Sequence, residues 1–290
     1  MPLAPTKHRL RSGLMTLITV LVLSYGGVVA VLYLAQTWLV FPGSTLPSRP
    51  LDAPRAPERL ALPAADGAEL HGMLFAAAGE PDADLVIGFG GNAQDAEELG
   101  QDLAQRFRDL HVAVFHYRGY GPSGGRLSEA AVLADALTIH DALIERLAPP
   151  RTYAIGVSLG SGVATYLSKQ RPLAGLILVT PYDSIEAIAK ETYFWLPVSW
   201  LLRHRFPSVE HMADNPTPVA VIAAEDDRIV KPRRTEALVE GLPNLVFRET
   251  LSDAAHNDIH GLATYDQAIE AALGALRAAQ SPKDWRRNSG

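Results

Sequence analysis

From residue 58 onward, short apolar segments alternate with longer segments of helical spacing, and this order restricts the fold more than any other feature. Two strand-like runs come first and flank the turn Asp66-Gly67, which predicts a β-hairpin. After the hairpin, DLVIGF, HVAVFH, TYAIG and PVAVIAA are each followed by a segment of helical spacing or by a loop that leads into one. Such a chain is expected to form a mostly parallel sheet with helices on both faces.

No charged residue occurs between Leu14 and Gln36, and this segment is predominantly apolar. At about 1.5 Å per residue, roughly 20 such residues cross the hydrocarbon core of a bilayer as a helix. Lys7 and Arg11 precede the segment, whereas the next basic residue after it is Arg49. This asymmetry predicts a single-pass membrane protein with its N-terminus in the cytoplasm. The rest of the chain is then expected on the outer, periplasmic or extracytoplasmic side.

A cleaved signal peptide is the alternative interpretation, because residues 28–30 could serve as a cleavage site. The apolar core of a signal peptide has about 7–15 residues, however, and this segment continues past Ala30. A buried core helix is disfavoured because the segment has no polar face. We therefore expect an uncleaved anchor with Trp38 and Phe41 at the membrane interface. The domain that follows is expected to remain soluble and active without residues 1–40.

Composition divides the chain into five parts. Five prolines between Phe41 and Leu60 predict an extended linker, and a long insertion at residues 181–216 interrupts the strand–helix alternation. The predicted parts are a short basic N-terminus (1–13), a transmembrane anchor (14–36), a Pro-rich linker (37–57), a globular domain (58–279) and a polar tail (280–290).

Charge and cysteine content exclude several function classes. The formal net charge is −6, and Lys and Arg form no long run, which argues against nucleic acid as a partner. The chain has no cysteine, so a thiol nucleophile, a thiolate metal site and a disulfide are excluded.

The stretch Gly156-Val157-Ser158-Leu159-Gly160 lies between the predicted strand TYAI and a segment of helical spacing. This G-x-S-x-G pattern at a strand-to-helix turn is typical of a nucleophilic serine. The turn is too tight for bulk at the flanking positions, and it holds the hydroxyl at a helix N-terminus, where negative charge is favoured. An ordinary glycine-containing loop is the simpler alternative.

A nucleophilic serine needs a base and an acid, which in such a fold follow in the order Ser, Asp, His. His256 follows the last predicted strand and is the candidate base. Asp226 and Asp227 follow the strand PVAVIAA. Asp183, which follows the earlier strand GLILVT, is a rival acid, and so are Asp253 and Asp258, which lie close to His256 in sequence. His260 lies four residues after His256, but the segment between them lacks the glutamate of a metalloprotease motif.

Several of these stretches together resemble the α/β-hydrolase superfamily, and within it the single-anchor branch that includes serine aminopeptidase-like, lysophospholipase-like and ABHD-type hydrolases. The resemblance covers nearly all of residues 58–279. It is carried by FGGNAQ (89–94), YRGYGPSGG (117–125), FWLPVSWLLRHRFPS (194–208), EDDRIVKP (225–232) and AHNDI (255–259). The resemblance implies the α/β-hydrolase fold, with the insertion as a small cap.

The resemblance also implies a role for each site residue. Ser158 aligns with the nucleophile, His256 with the base, and Asp227 rather than Asp226 with the acid. The backbone N–H groups of Asn92 and Leu159 are the expected oxyanion hole. Gly90 replaces the usual histidine of the first loop, which removes a side chain near the hole and leaves the backbone donor.

The function expected from this resemblance is that of a membrane-anchored serine hydrolase. It would cleave esters or thioesters of acyl or lipid-like substrates through an acyl-enzyme, without cofactor or metal. An aminopeptidase or amidase, and a catalytically silent membrane-tethered binding module, are the alternatives. The aromatic residues of the cap are expected to form a substrate wall, with packing on the sheet edge or contact with the membrane as other interpretations; they include Tyr182, Phe194, Trp195 and Trp200.

Overall fold

An eight-stranded sheet forms the centre of the computed structural model, which describes residues 7–45, 56–79 and 82–280. The strand order is β1-β2-β4-β3-β5-β6-β7-β8, with β2 antiparallel to both neighbours and β3 to β8 parallel. The predicted hairpin is present, and Gly67 in its turn has a φ of 83°. The strands are β1 Glu58–Pro63, β2 Glu69–Phe75, β3 Leu85–Phe89, β4 His111–Phe115, β5 Thr152–Val157, β6 Gly175–Val179, β7 Val219–Ala224 and β8 Leu245–Leu251.

Helices follow the strands much as the alternation predicts. Ser128 caps α3 by accepting a hydrogen bond from the Ala131 N–H. Helix α2 begins at Ala96 because the Asp95 side chain caps it there by accepting a hydrogen bond from the Glu97 N–H. The helices are α1 Lys7–Val40, α2 Ala96–Arg106, α3 Glu129–Leu147, α4 Leu159–Gln170, α5 Ile185–Thr192, α6 Val198–Leu201, α7 Ser208–Met212, α8 Pro232–Glu240 and α9 Ala263–Ala279.

Both faces of the sheet are covered. Helices α2 and α9 pack on one face, and α3, α4 and α8 pack on the other. Every residue of β3, β5, β6 and β7 is buried, as expected for parallel strands in the middle of a two-sided sheet. The fold is the predicted α/β-hydrolase fold, and its carboxyl strand ends share one edge, where ligands bind in such sheets.

Helix α1 is long and apolar enough to cross a membrane over Arg11–Val40, where its mean hydropathy is 2.3. It continues to Val40, past the predicted boundary at residue 36, so the predicted linker begins inside the helix. The expectation for Phe41 is wrong: its side chain is fully buried between His204 and Phe206 instead of lying at a membrane interface. The rest of the linker (46–55) and the tail beyond residue 280 lie outside the described residues.

Two glycines let α4 start close to the strands beneath it. A Cβ on Gly160 would overlap the carbonyl oxygen of Phe89 and lie 2.8 Å from that of Gly90. A Cβ on Gly156 would lie 2.5 Å from the carbonyl oxygen of Gly160. Both obstacles are backbone atoms, so no side-chain rotation relieves them.

We predict that Gly160→Ala lowers the free energy of unfolding by about 3 kcal/mol or more, because the added methyl group forces two backbone segments apart. Gly274→Ala in α9 is the matched control, since a Cβ there meets nothing within 4 Å. That change is expected to be neutral or to stabilise by up to about 1 kcal/mol. Urea unfolding of the full chain in detergent measures both values, and equal stability of the two variants would contradict the packing described here.

Candidate active site

Ser158 occupies the turn between β5 and α4 in an uncommon backbone conformation, with φ 48° and ψ −115°. Such a conformation costs a non-glycine residue about 1–3 kcal/mol and persists only where neighbouring structure enforces it. Here the Ser158 N–H donates to the Val179 carbonyl at 2.9 Å, and its carbonyl accepts from the Ser161 hydroxyl at 2.7 Å. The turn is therefore held from both β6 and α4.

The side chains of Ser158, His256 and Asp227 form one hydrogen-bonded chain. The His256 Nε2 atom lies 2.8 Å from the Ser158 Oγ atom, and its Nδ1 atom lies 2.6 Å from the Asp227 Oδ2 atom. The three residues follow β5, β7 and β8, whose carboxyl ends meet at one edge of the sheet. With Nδ1 donating to the carboxylate, Nε2 is left as an acceptor for the serine hydroxyl.

Asp227 is fixed by backbone donors as well as by the histidine. Its Oδ1 atom accepts hydrogen bonds from the N–H groups of Ile229, at 2.9 Å, and Val230, at 2.7 Å. Its side chain is 3% exposed, and that of His256 is 9% exposed. These two hydrogen bonds fix the orientation of the carboxyl group, so its Oδ2 atom stays directed at the His256 ring.

The rival acids are placed elsewhere. Asp183 forms an ion pair with Arg234 at 2.9 Å and accepts from the Ser184 N–H, so both its oxygens are engaged away from the histidine. Asp226 is exposed beside the buried Asp227. Of the acids that sequence position left open, the structure brings Asp227 to His256.

The loop after β3 approaches Ser158 from the other side. A Cβ on Gly91 would lie 3.7 Å from the Ser158 Cβ atom, so the loop backbone passes directly by the serine. Asn92 and Leu159, the predicted oxyanion-hole residues, line the same cavity as Ser158. Leu159 is the first residue of α4, where the N–H group has no acceptor within the helix.

Two tyrosines of the YRGYGPSGG motif hold the loop after β3 in place, a role that the motif alone did not indicate. The Tyr117 hydroxyl donates to the Gly90 carbonyl at 2.8 Å, and the Tyr120 hydroxyl donates to the Asn92 carbonyl at 2.7 Å. Burial raises the pKa of both phenols well above the usual value, so both remain protonated donors at neutral pH. The motif spacing gave no sign of where these hydroxyls point.

An apolar cavity of about 370 Å³ opens above Ser158 and His256. Tyr182, one of the residues expected in a substrate wall, lines this cavity and donates from its hydroxyl to the Leu159 carbonyl at 3.1 Å. The cap contributes aliphatic side chains from α5, α6 and the segment between them, together with Tyr193. Helix α1 unexpectedly contributes a wall that consists of Val29, Leu32, Tyr33, Gln36, Leu39 and Val40. The expectation that the domain is independent of residues 1–40 does not match this arrangement.

The prediction that Phe194, Trp195 and Trp200 form the substrate wall is wrong. None of them lines the cavity, and they are 83%, 43% and 90% exposed. Helix α5 turns the side of Ile185 and Ile188 toward the cavity, while Phe194, Trp195 and Trp200 fall on the outer surface of the cap. Periodicity could not indicate this because the cap helices are short.

No group of three or more His, Asp or Glu side chains is arranged to hold a metal ion in the part of the chain that the structure describes.

Comparisons with known proteins agree with this geometry. Residues 85–205 match a family model described as alpha/beta hydrolase fold. An uncharacterized protein of Mycobacterium tuberculosis is 35% identical over 67% of this chain and 70% of its own length. The lysophosphatidylserine lipase ABHD12 of Danio rerio is 36% identical over 41% of this chain, which spans only 36% of that protein.

A solved structure, the esterase Pf2001 of Pyrococcus furiosus, superimposes on 80% of this chain and 99% of its own with a TM-score of 0.62. Its sequence identity of 17% supports a shared fold alone. Together with the more similar relatives, these matches show that the chain belongs to the α/β-hydrolase superfamily, among its ABHD-type members, and is a hydrolase.

Proposed function

We propose that this protein is a membrane-anchored serine hydrolase that cleaves ester or thioester bonds of acyl, lipid-like substrates through an acyl-enzyme. The observation that carries the proposal is the chain of hydrogen bonds from Ser158 through His256 to Asp227, at the base of an apolar cavity. Nucleophile, base and acid lie within the distances that nucleophilic catalysis requires.

The reaction would begin with transfer of the Ser158 proton to the Nε2 atom of His256, while the Oγ atom attacks the acyl carbonyl carbon. Negative charge would develop on the carbonyl oxygen and be stabilised by the N–H groups of Asn92 and Leu159. One such donor is typically worth about 10²–10³ in turnover. Asp227 would stabilise the imidazolium, which then protonates the leaving alkoxide or thiolate. Water would release the acid by the reverse path.

The cavity lining supports an acyl substrate over an aminoacyl one. Among the described residues that line it there is no aspartate or glutamate that could bind a free amino group. Aliphatic side chains from α1, α5 and α6 predominate instead, which favours an acyl chain. The similarity to a lysophosphatidylserine lipase agrees with a lipid that carries one acyl chain.

Membrane anchoring is part of the same proposal. Helix α1 has the length and hydropathy of a membrane span, and the basic residues Lys7, Arg9 and Arg11 precede its apolar part. The positive-inside rule then supports a cytoplasmic N-terminus and a catalytic domain on the outer side of the membrane.

We predict that Asp227→Asn lowers turnover by about 10⁴-fold, because the amide no longer stabilises the imidazolium or selects the required tautomer. Asp226→Asn is the matched control and is expected to cost about tenfold at most, since Asp226 is exposed and the Nδ1 atom of His256 is already paired with Asp227. Steady-state hydrolysis of a p-nitrophenyl ester measures both. A mild effect of Asp227→Asn together with a crippling effect of Asp183→Asn would place the acid after β6 instead.

We further predict that Tyr120→Phe lowers turnover by about tenfold with little change in KM, because the Asn92 carbonyl loses the shorter of its two hydrogen bonds, keeps only that from the Gly43 N–H, and the adjacent oxyanion donor shifts. Tyr265→Phe is the control, since its hydroxyl is buried without a hydrogen-bond partner among the described residues. Equal turnover of the two variants would show that the tyrosine does not position the loop.

The proposed function is tested with short and long acyl esters, a lysophospholipid and an aminoacyl amide, using wild type and Ser158→Ala in detergent. Wild type is expected to hydrolyse the esters and the lysophospholipid and to leave the amide intact. Ser158→Ala is expected to lose at least about a thousandfold in rate. Preferential cleavage of the amide would favour an aminopeptidase, and wild type without activity on any substrate would favour a binding module.

A further inference from the structure

The apolar helix α1 lines the cavity above Ser158, and it also has the length and hydropathy of a membrane anchor. Val29, Leu32, Tyr33 and Gln36 recur at helical spacing and face the cavity that holds Ser158. Val29 and Leu32 are partly buried there, whereas the neighbouring Val31 is 65% exposed on another face of the helix. One side of the helix therefore belongs to the substrate site, and the other is free to contact lipid.

Polar contacts of Gln36 and Thr37 attach α1 to the cap within this same stretch of the helix. Gln36 donates to the Leu201 carbonyl at 3.2 Å and accepts from the Arg203 N–H at 2.7 Å. The Thr37 hydroxyl lies 2.9 Å from the Nε2 atom of His204. These hydrogen bonds fix the rotation of α1 about its own axis. They therefore determine which of its side chains face the cavity.

The cap also extends along α1 toward the middle of its apolar segment. The Tyr25 hydroxyl donates to the Trp195 carbonyl at 3.2 Å, and the two rings pack edge to face with centroids 6.0 Å apart. Phe194 and Trp200, which belong to this outer surface of the cap, are 83% and 90% exposed. Large exposed aromatic side chains beside a membrane-spanning helix form a surface suited to lipid.

The length of α1 sets how deep in the bilayer the contact between Tyr25 and Trp195 would lie. An apolar segment that begins at Leu14 crosses the roughly 30 Å hydrocarbon core by about Tyr33, at about 1.5 Å per residue. Tyr25 then lies about 12 Å below the level of Tyr33, within the leaflet on the catalytic side. The Arg203 guanidinium lies over the Tyr33 ring, 5.0 Å from its centroid, at the level where lipid headgroups begin.

We infer that the cap is immersed in this leaflet beside α1, and that a single acyl chain passes from the leaflet into the cavity between the two. Helix α1 is thus a specificity-determining wall of the site, and the substrate is a single-chain acyl lipid resident in the membrane. The inference rests on the proposed function, and it adds that the acyl chain reaches Ser158 without crossing water. A cavity of about 370 Å³ lies near the lower end of ligand sites, which span about 300–1,000 Å³.

Immersion of the cap is tested by fluorescence of a full-length chain that keeps Trp195, which contacts Tyr25, as its only tryptophan, with the others replaced by phenylalanine. In vesicles, brominated acyl chains are expected to quench this tryptophan, while aqueous iodide leaves it unaffected. Quenching by iodide without quenching by the brominated chains would place the cap in water and overturn the inference.

The role of the wall is tested by the ratio of palmitoyl to butyryl ester hydrolysis by the full chain in vesicles. Leu32→Trp fills the cavity and is expected to lower this ratio at least about tenfold. The matched control Val31→Trp, on the lipid-facing side, is expected to keep the ratio within about twofold. Leu32→Ala widens the cavity. This variant is expected to hydrolyse esters with acyl chains longer than palmitoyl faster, relative to the palmitoyl ester, than wild type does.

Each of the two Leu32 variants tests the inference by itself, so a result is obtained even if the other variant folds poorly. A wild-type chain-length preference in Leu32→Ala would overturn the inference, and so would an unchanged ratio in an active Leu32→Trp variant. Failure of the proposed function is distinguishable, because wild type would then hydrolyse neither ester or Ser158→Ala would hydrolyse both.

Discussion

The backbone turn at Ser158 is the constraint on which the rest of the site depends. A left-handed φ at a serine is unfavourable, and here it is imposed by hydrogen bonds to β6 and α4 and by glycines that let α4 sit against β3 and β5. The turn presents the hydroxyl at the sheet edge, where the loops after β7 and β8 deliver Asp227 and His256. A rigid sheet thus orders three residues that are far apart in sequence.

The anchor and the active site are parts of one structure. After α1 the chain makes a short turn in which the Gly43 N–H donates to the Asn92 carbonyl at 3.0 Å, beside the hydrogen bond from Tyr120. Phe41 is buried in the core immediately before this turn. The segment that leaves the membrane helix therefore contacts the loop that carries a proposed oxyanion donor. Under the proposed anchoring by α1, this arrangement would bring the cavity next to the bilayer.

The sequence was most informative where strand order decides position. Ser158, Asp227 and His256 each follow a parallel strand, and the carboxyl ends of such strands meet, so their proximity could be predicted without any distance. The hairpin and the mostly parallel sheet followed from the same alternation of apolar segments and segments of helical spacing.

Side-chain direction in the cap, and contacts between distant segments, could not be predicted in this way. Trp200 and Phe194 look like a substrate wall by composition, yet short cap helices have no periodicity strong enough to show which side faces inward. Leu32 gave no sign of lining a cavity, because a lipid-facing residue and a substrate-facing residue of an apolar helix are chemically alike. Tyr120 acts through a hydroxyl whose partner depends on the folded loop.

The central claim is that Ser158 is the nucleophile, and covalent labelling followed by peptide mapping tests it most directly. Treatment of the full chain with a fluorophosphonate is expected to add one phosphonyl group, located by mass spectrometry on the peptide that contains Ser158. Modification should be strongly slowed in His256→Ala, because the serine then lacks its base. A label on another serine, or undiminished labelling of Ser158→Ala, would contradict the account.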